Sequence, residues 1–186
     1  MIRYLLRNPN EWGYNINQIA KLNKMSVGSA FKILKKLEKD DIAVKTEISN
    51  ASHYKLNFDN PETIKLCELF LLTEKRSIKG YAKVYADEII KFKDAEMIIL
   101  FGSILKGKEC NDVDVLFITH QTRKVNNFCL EISQVRIKPV VPLIMEKKDL
   151  IKAMKQRKEA ILDMMKEGMV LRGESLFVEV IKNVNA

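Results

Sequence analysis

The densest chemistry in this chain lies in residues 101–118. An apolar run ends at Phe101, Gly102-Ser103 turns the chain, Gly107 follows, and Asp112-Val113-Asp114 opens a second apolar run. Glycines let a backbone approach a phosphate closely. A Ser hydroxyl and the free N–H groups at a helix start can hydrogen-bond phosphate oxygens. Asp112 and Asp114 alternate along a strand, so both side chains leave the same face. Two carboxylates so placed can hold Mg²⁺ or Mn²⁺, and the ion in turn grips a triphosphate.

The elements that must position these groups are readable nearby. Strands are expected over 97–101 and 113–118, with a helix over 81–92 leading in. Val113, Val115 and Phe117 should face covering helices, which leaves Asp112 and Asp114 on an open cleft. Lys106 adds a positive charge to the loop. Prolines at 139 and 142 mark the next apolar segment, 135–144, as an edge strand. His53 and His120 are the only histidines, and no Ser-His-Asp set or zinc spacing accompanies them. His53 reads as a surface residue and His120 as a residue of the cleft rim.

The chain has 186 residues, enough for one ordinary domain or two small ones. At 47% hydrophobic and 30% charged residues it suits a folded protein rather than a disordered one. No apolar run is long enough to span a bilayer and no signal peptide opens the chain, so a cytoplasmic protein with no membrane partner is expected. Cys67, Cys110 and Cys129 are odd in number and widely spaced, which fits reduced thiols. The net charge is +8; residues 1–58 hold 10 Lys+Arg against 5 Asp+Glu, a local +5. Such a bias favours a polyanionic partner, although a Lys-rich and Ile-rich composition can also reflect genome or habitat.

That basic segment has its own pattern. Asn15 should cap a helix over 16–22, and Ser26 a longer one running to about Lys39. The inward face of the longer helix would hold Val27, Ala30, Phe31, Leu34 and Leu37. Its outward face would hold Gly28, Ser29, Lys32, Lys35, Lys36 and Lys39. Strands over 42–47 and 53–57, joined by a turn at 49–52, follow. Trp12, alone in the chain, is expected to pack in the corner by the first helix. Asn60-Pro61 starts a further helix reaching about Arg76. Its apolar stripe suits packing between two domains or a homodimer interface.

Two resemblances follow from these residues. Residues 16–41 look like the helix-turn-helix of archaeal and bacterial winged-helix regulators. That likeness implies double-stranded DNA as partner, with Ser26, Gly28, Ser29, Lys32, Lys35 and Lys36 in the major groove or on phosphates. Lys45, Ser49, Asn50 and Lys55 would serve from the wing. No Arg, Asn or Gln lies in the third helix, so a base-reading residue is not legible. Residues 102–114 resemble the signature of the nucleotidyltransferase superfamily that includes DNA polymerase beta, in its minimal single-domain form. Residues 161–174, with Gly168, Leu171 and Gly173, resemble the same family's closing segment.

The second likeness implies a nucleoside triphosphate such as ATP bound with Mg²⁺ or Mn²⁺. Asp112 and Asp114 would be the metal-binding catalytic carboxylates, and Gly102, Ser103, Lys106 and Gly107 the phosphate holders. It also implies a third carboxylate on the next strand, and residues 135–144 contain no Asp or Glu. Lys138 or Val140 stands roughly where that acid belongs, and Glu131 lies earlier. The expected fold class is therefore α+β. A winged helix-turn-helix over 1–58 and a connecting helix over 59–80 precede a nucleotidyltransferase-like domain over 81–186, a mixed sheet with helices on one face. The expected function is a DNA-binding regulator that binds metal-nucleotide with transfer in doubt. The alternative is an active transferase acting on a protein, RNA or small-molecule acceptor, including a toxin-like protein partner.

Overall fold

The computed structural model describes residues 1–107 and 110–185 and is an α+β protein. It divides into two compact units, 1–70 together with the residues from 181 onward, and 71–180.

The first unit opens with α1 (Ile2–Arg7), a two-residue strand β1 (Tyr14–Asn15), α2 (Ile16–Leu22) and α3 (Val27–Lys39). Asn15 closes a capping box on α2: its side chain accepts from the Gln18 N–H at 2.9 Å and Gln18 returns the bond to the Asn15 N–H at 2.9 Å. Ser26 caps α3 by accepting from the Ser29 N–H at 3.1 Å. The hairpin β2 (Ala43–Ile48) and β3 (Ala51–Leu56) turns on Ser49 and Asn50 alone. Both have positive φ, 48° and 62°, the left-handed pair that a two-residue hairpin turn requires. β3 also pairs with β1, giving a three-stranded antiparallel sheet in the order β1-β3-β2. Short β1 carries no alternating pattern of its own, so only its pairing identifies it.

Two expectations fail in this unit. Val27 and Phe31 are 49% and 46% exposed, so the buried stripe of α3 narrows to Ala30 and Leu34. Ala30 and Leu34 lie on the side that meets α2 and the sheet, whereas Phe31 lies on the flank of that stripe, about 100° around the helix from Ala30, and Val27 is the first residue of the helix. Trp12 is 64% exposed rather than packed. It sits on a turn whose backbone is tied by Asn10, which accepts from the Trp12 N–H at 3.1 Å.

The next helix, α4 (Pro61–Lys75), begins where Asn60 Oδ1 accepts from the Glu62 N–H at 2.9 Å. The division between units falls inside α4, between Phe70 and Leu71. Thr63, Cys67 and Leu71 form its buried line, and Leu72 is exposed. The remaining elements are α5 (Gly80–Ile89), β4 (Met97–Phe101), a 3₁₀ turn (Ser103–Lys106), β5 (Val113–Ile118), α6 (Thr122–Val135), β6 (Val140–Met145), α7 (Lys147–Lys155), α8 (Glu159–Glu167), β7 (Met169–Arg172) and α9 (Glu174–Asn185).

The sheet of the second unit runs β6-β5-β4-β7. β5 pairs antiparallel with β4 and parallel with β6, so the sheet is mixed. Ile98, Leu100, Val113, Val115 and Phe117 join Tyr85, Val125, Cys129 and Ile132 in one core. The other face is buried too: Met97, Ile99, Leu116 and Ile118 have no exposure. Helices on one face only were expected. Strands that are apolar at nearly every position, as β4 and β5 are, belong in a sheet covered on both sides. Gly168 brings the end of α8 down onto that second face, because a Cβ there would meet Ile99 Cγ2 at 2.6 Å.

β6 is an edge strand, as its prolines suggested. The Val113 N–H donates to Pro139 O at 2.9 Å and the Thr119 N–H to Met145 O at 3.1 Å. Odd-numbered residues of β6 therefore face the ladder, and Val140, Pro142 and Ile144 turn their backbone outward. The Val140 N–H is taken by Ser133 Oγ at 2.9 Å, and Pro142 has none to offer. The edge is thus blunted against pairing with another strand. Among the described residues no helix is long and apolar enough to cross a membrane.

Candidate functional site

The Gly-Ser turn and the two carboxylates come together at one end of the second sheet. Phe101 of β4 pairs with Asp114 of β5, and Asp114 with Val141 of β6, so these three side chains share a face. Gly102 follows directly, with φ +84° and ψ −161°, a region essentially restricted to glycine. A Cβ at Gly102 would collide with Asp114 Oδ2 and reach its Cγ at 3.2 Å. The backbone of the turn is therefore pressed against the Asp114 carboxylate. Ser103 begins the 3₁₀ turn, and Gly107 ends it in the left-handed conformation at φ +65°.

The two carboxyls lie close enough to act on each other. Burial, and after it the negative charge of Asp112, push the Asp114 carboxyl above its ordinary value. Like charges held together in this way favour a cation between them. A raised carboxyl keeps its proton more readily in the fold than in the unfolded chain. Its effect on stability is most favourable at low pH and is lost as pH rises from about 3.9, the ordinary Asp value, through the higher folded value. Divalent-ion binding runs in the opposite direction, because it needs the ionised form. A thermal shift given by Mn²⁺ bound through this pair should therefore fade on acidification at a higher pH than an unperturbed Asp would give, and Asp112→Asn should move that midpoint down. A titration of melting temperature with and without Mn²⁺ between pH 4 and 8 reads this directly.

Among the described residues no group of three or more His, Cys, Asp and Glu is placed to hold a metal ion. Among the described residues the carboxylates at the turn are Asp112 and Asp114. That suits a hard ion which keeps several waters and takes its remaining ligands from phosphate oxygens. The position beside Asp114 on its own face is Val141, 44% exposed. It is neither Lys138 nor Val140: Val140 points into the opposite core. Both backbone groups of Lys138 bond the Tyr85 hydroxyl, each at 2.9 Å. Glu131 is exposed on α6, a helix whose Val125, Cys129 and Ile132 pack on the face opposite to Asp114, so it does not join the pair. His120 pairs with Glu146 at 3.1 Å beyond the far end of β5 and plays no part at the turn.

Lys106 differs from its expected role. Its ammonium lies 3.2 Å from Glu167 of α8, across a cavity of 310 Å³ that opens beside Gly102. Asp163 and Met164 of α8 line this cavity with Phe101 and Leu105. Asp163 and Glu167 were visible in the sequence only as part of a closing helix. The signal that could have placed them was their spacing of four, which puts both on one helical face.

The basic residues of the first unit are placed as follows. Gly28, Ser29, Lys32, Lys35 and Lys36 are all exposed on α3, and a Cβ at Gly28 would meet nothing within 4 Å. The Ser26 and Ser29 hydroxyls bond each other at 2.9 Å. Lys35 is held at 3.0 Å by Glu38 and lies 6.0 Å from the centre of the exposed Phe31 ring. Lys45 is paired with Glu47, whose carboxyl is held below the usual range first by Lys45 and then by Ser52. Lys45 stands opposite Tyr54 and Lys55 opposite Val44, so the two lysines leave opposite faces of the hairpin. They do not form one wing surface. Lys55 instead donates to Glu11 O at 3.4 Å. Ser49 and Asn50 are exposed at the hairpin tip.

The chain matches no family model and no curated protein.

Proposed function

We propose that the protein is a DNA-binding regulator whose second unit binds a metal-nucleoside triphosphate without efficient transfer. The observation that carries the nucleotide half is Gly102, held where only glycine fits and pressed on Asp114, with Asp112 close enough to shift its proton affinity. In this reading Asp112 and Asp114 hold one Mg²⁺ or Mn²⁺. The ion supplies charge neutralisation for the triphosphate. Ser103 and the backbone of the turn bind phosphate oxygens, and Gly107 lets the loop close behind them. Lys106 would have to leave Glu167 to contact a phosphate. Val141 in place of an acid leaves the neighbouring strand β6, among the described residues, without a carboxylate beside Asp114 to take the proton of an acceptor hydroxyl. Incubation with Mg²⁺ and labelled triphosphates should give binding without pyrophosphate release. Release that depends on Asp112 would turn the reading to an active transferase.

The DNA half rests on α3, whose exposed side carries Gly28, Ser29, Lys32 and Lys36, with open space above Gly28. Its N-terminal turn would approach the major groove, and its lysines would meet phosphates. Lys35 and Lys45, each tied to a carboxylate, should contribute less than Lys32 and Lys36. Replacing Lys32 and Lys36 together by Ala should weaken duplex binding at every sequence tested. The slope of log affinity against log salt should also become shallower, by about 0.9 for each phosphate left without its lysine. Unchanged affinity and slope would remove α3 from the interface.

A further inference from the structure

The cavity beside Gly102 has a composition the triphosphate reading does not use. Ligand cavities run from roughly 300 to 1,000 Å³, so one of 310 Å³ takes a single ring system rather than a whole cofactor. Its walls are apolar where Phe101, Leu105 and Met164 contribute, as a flat aromatic ligand needs. Its polar side is α8, which presents Asp163 and Glu167 one turn apart. Glu167 is occupied by Lys106 at 3.2 Å. Asp163 remains as an exposed carboxylate, and an ionised carboxylate only accepts hydrogen bonds. The cavity adjoins the turn at Gly102, whose backbone also lies against the Asp114 carboxylate, so a group bound in it sits next to the carboxylate pair.

We propose that this cavity receives the base of the bound triphosphate and that Asp163 selects guanine. The inference rests on the metal-triphosphate reading and adds the identity of the nucleotide. Guanine alone among the common bases presents two adjacent donors, N1–H and the 2-amino group, which match the two oxygens of one carboxylate. Adenine and cytosine offer one amino group, and uracil one N–H. A two-pronged, charge-assisted pair is the stronger arrangement.

The test is calorimetric binding of GTP, ATP, CTP and UTP to the full chain in Mg²⁺. GTP should bind about tenfold more tightly than UTP, as expected of one charge-assisted pair at a partly solvated site. Asp163→Asn should abolish the preference, with the larger loss falling on GTP. Equal affinities for all four, or a preference that survives Asp163→Asn, would overturn the inference. If those equal affinities vanish in Asp112→Asn, the triphosphate reading stands and only the base assignment falls. No binding of any of the four removes both.

Discussion

Val141→Asp should tighten Mn²⁺ binding by roughly tenfold or more, since ligand charge count is what sets affinity at an oxygen-donor site. Val141 is the cross-strand partner of Asp114 and leaves the same face. Neighbouring strands lie about 4.8 Å apart, so an acid at 141 can reach an ion already held by Asp112 and Asp114. The position is 44% exposed on an edge strand, and removing a half-exposed valine from such a site costs little stability, typically within about 0.5 kcal/mol. Without metal, the added charge should push the Asp114 carboxyl up further and lower the melting temperature at neutral pH. Mn²⁺ should restore it, because an ion that binds only the folded state stabilises that state. The same variant should release pyrophosphate from a triphosphate if a missing acid is what stops the wild-type protein. Val141→Asn supplies the shape without the charge and should do neither. Equal behaviour of the two variants would mean that Val141 does not adjoin the site.

Gly102→Ala is expected to be the most damaging single methyl addition near the site. The backbone at Gly102, φ +84° and ψ −161°, is one that side chains other than glycine rarely adopt, which costs on the order of 1–3 kcal/mol. The added Cβ also meets the Asp114 carboxylate. Either the turn or Asp114 must shift, and each shift separates phosphate holder from metal ligand. Melting temperature and Mn²⁺-dependent triphosphate binding should fall together. Gly107→Ala provides the contrast: its φ of +65° is also unfavourable, but a Cβ there meets nothing within 4 Å. It should cost stability while sparing the carboxylate pair, so binding corrected for folding should survive. A Gly102→Ala protein that binds as well as wild type would show that the turn does not hold the ligand.

The legible parts of this chain were those where local chemistry settles local structure. Asn15, Ser26 and Asn60 cap their helices where their side chains can reach the N–H groups of the first turn. The spans of β4 and β5 could be read because an apolar run was bounded by a Gly-Ser turn on one side and by acids on the other. Pro142 in particular announced an edge, since inside a strand a residue without an N–H is confined to edges and bulges. What could not be read was register. Whether Val140 or Val141 flanks Asp114 depends on a one-residue choice in a parallel pairing, and that choice reverses every side chain. The opposite faces of Lys45 and Lys55 were hidden for the same reason. Glu167 holding Lys106 joins residues about sixty apart, and no local pattern reports it. Val27 and Phe31 were assigned inward because periodicity gives the phase of a stripe but not its width.

The most direct test of the two-carboxylate pocket is titration of the full chain with a non-hydrolysable triphosphate in Mn²⁺, wild type against Asp112→Asn and Asp114→Asn. The expected result is saturable binding that needs the metal and falls by at least tenfold in each variant, with melting temperatures in the absence of ligand little changed. Binding that ignores the metal, or persists undiminished when both acids are neutralised, would contradict it.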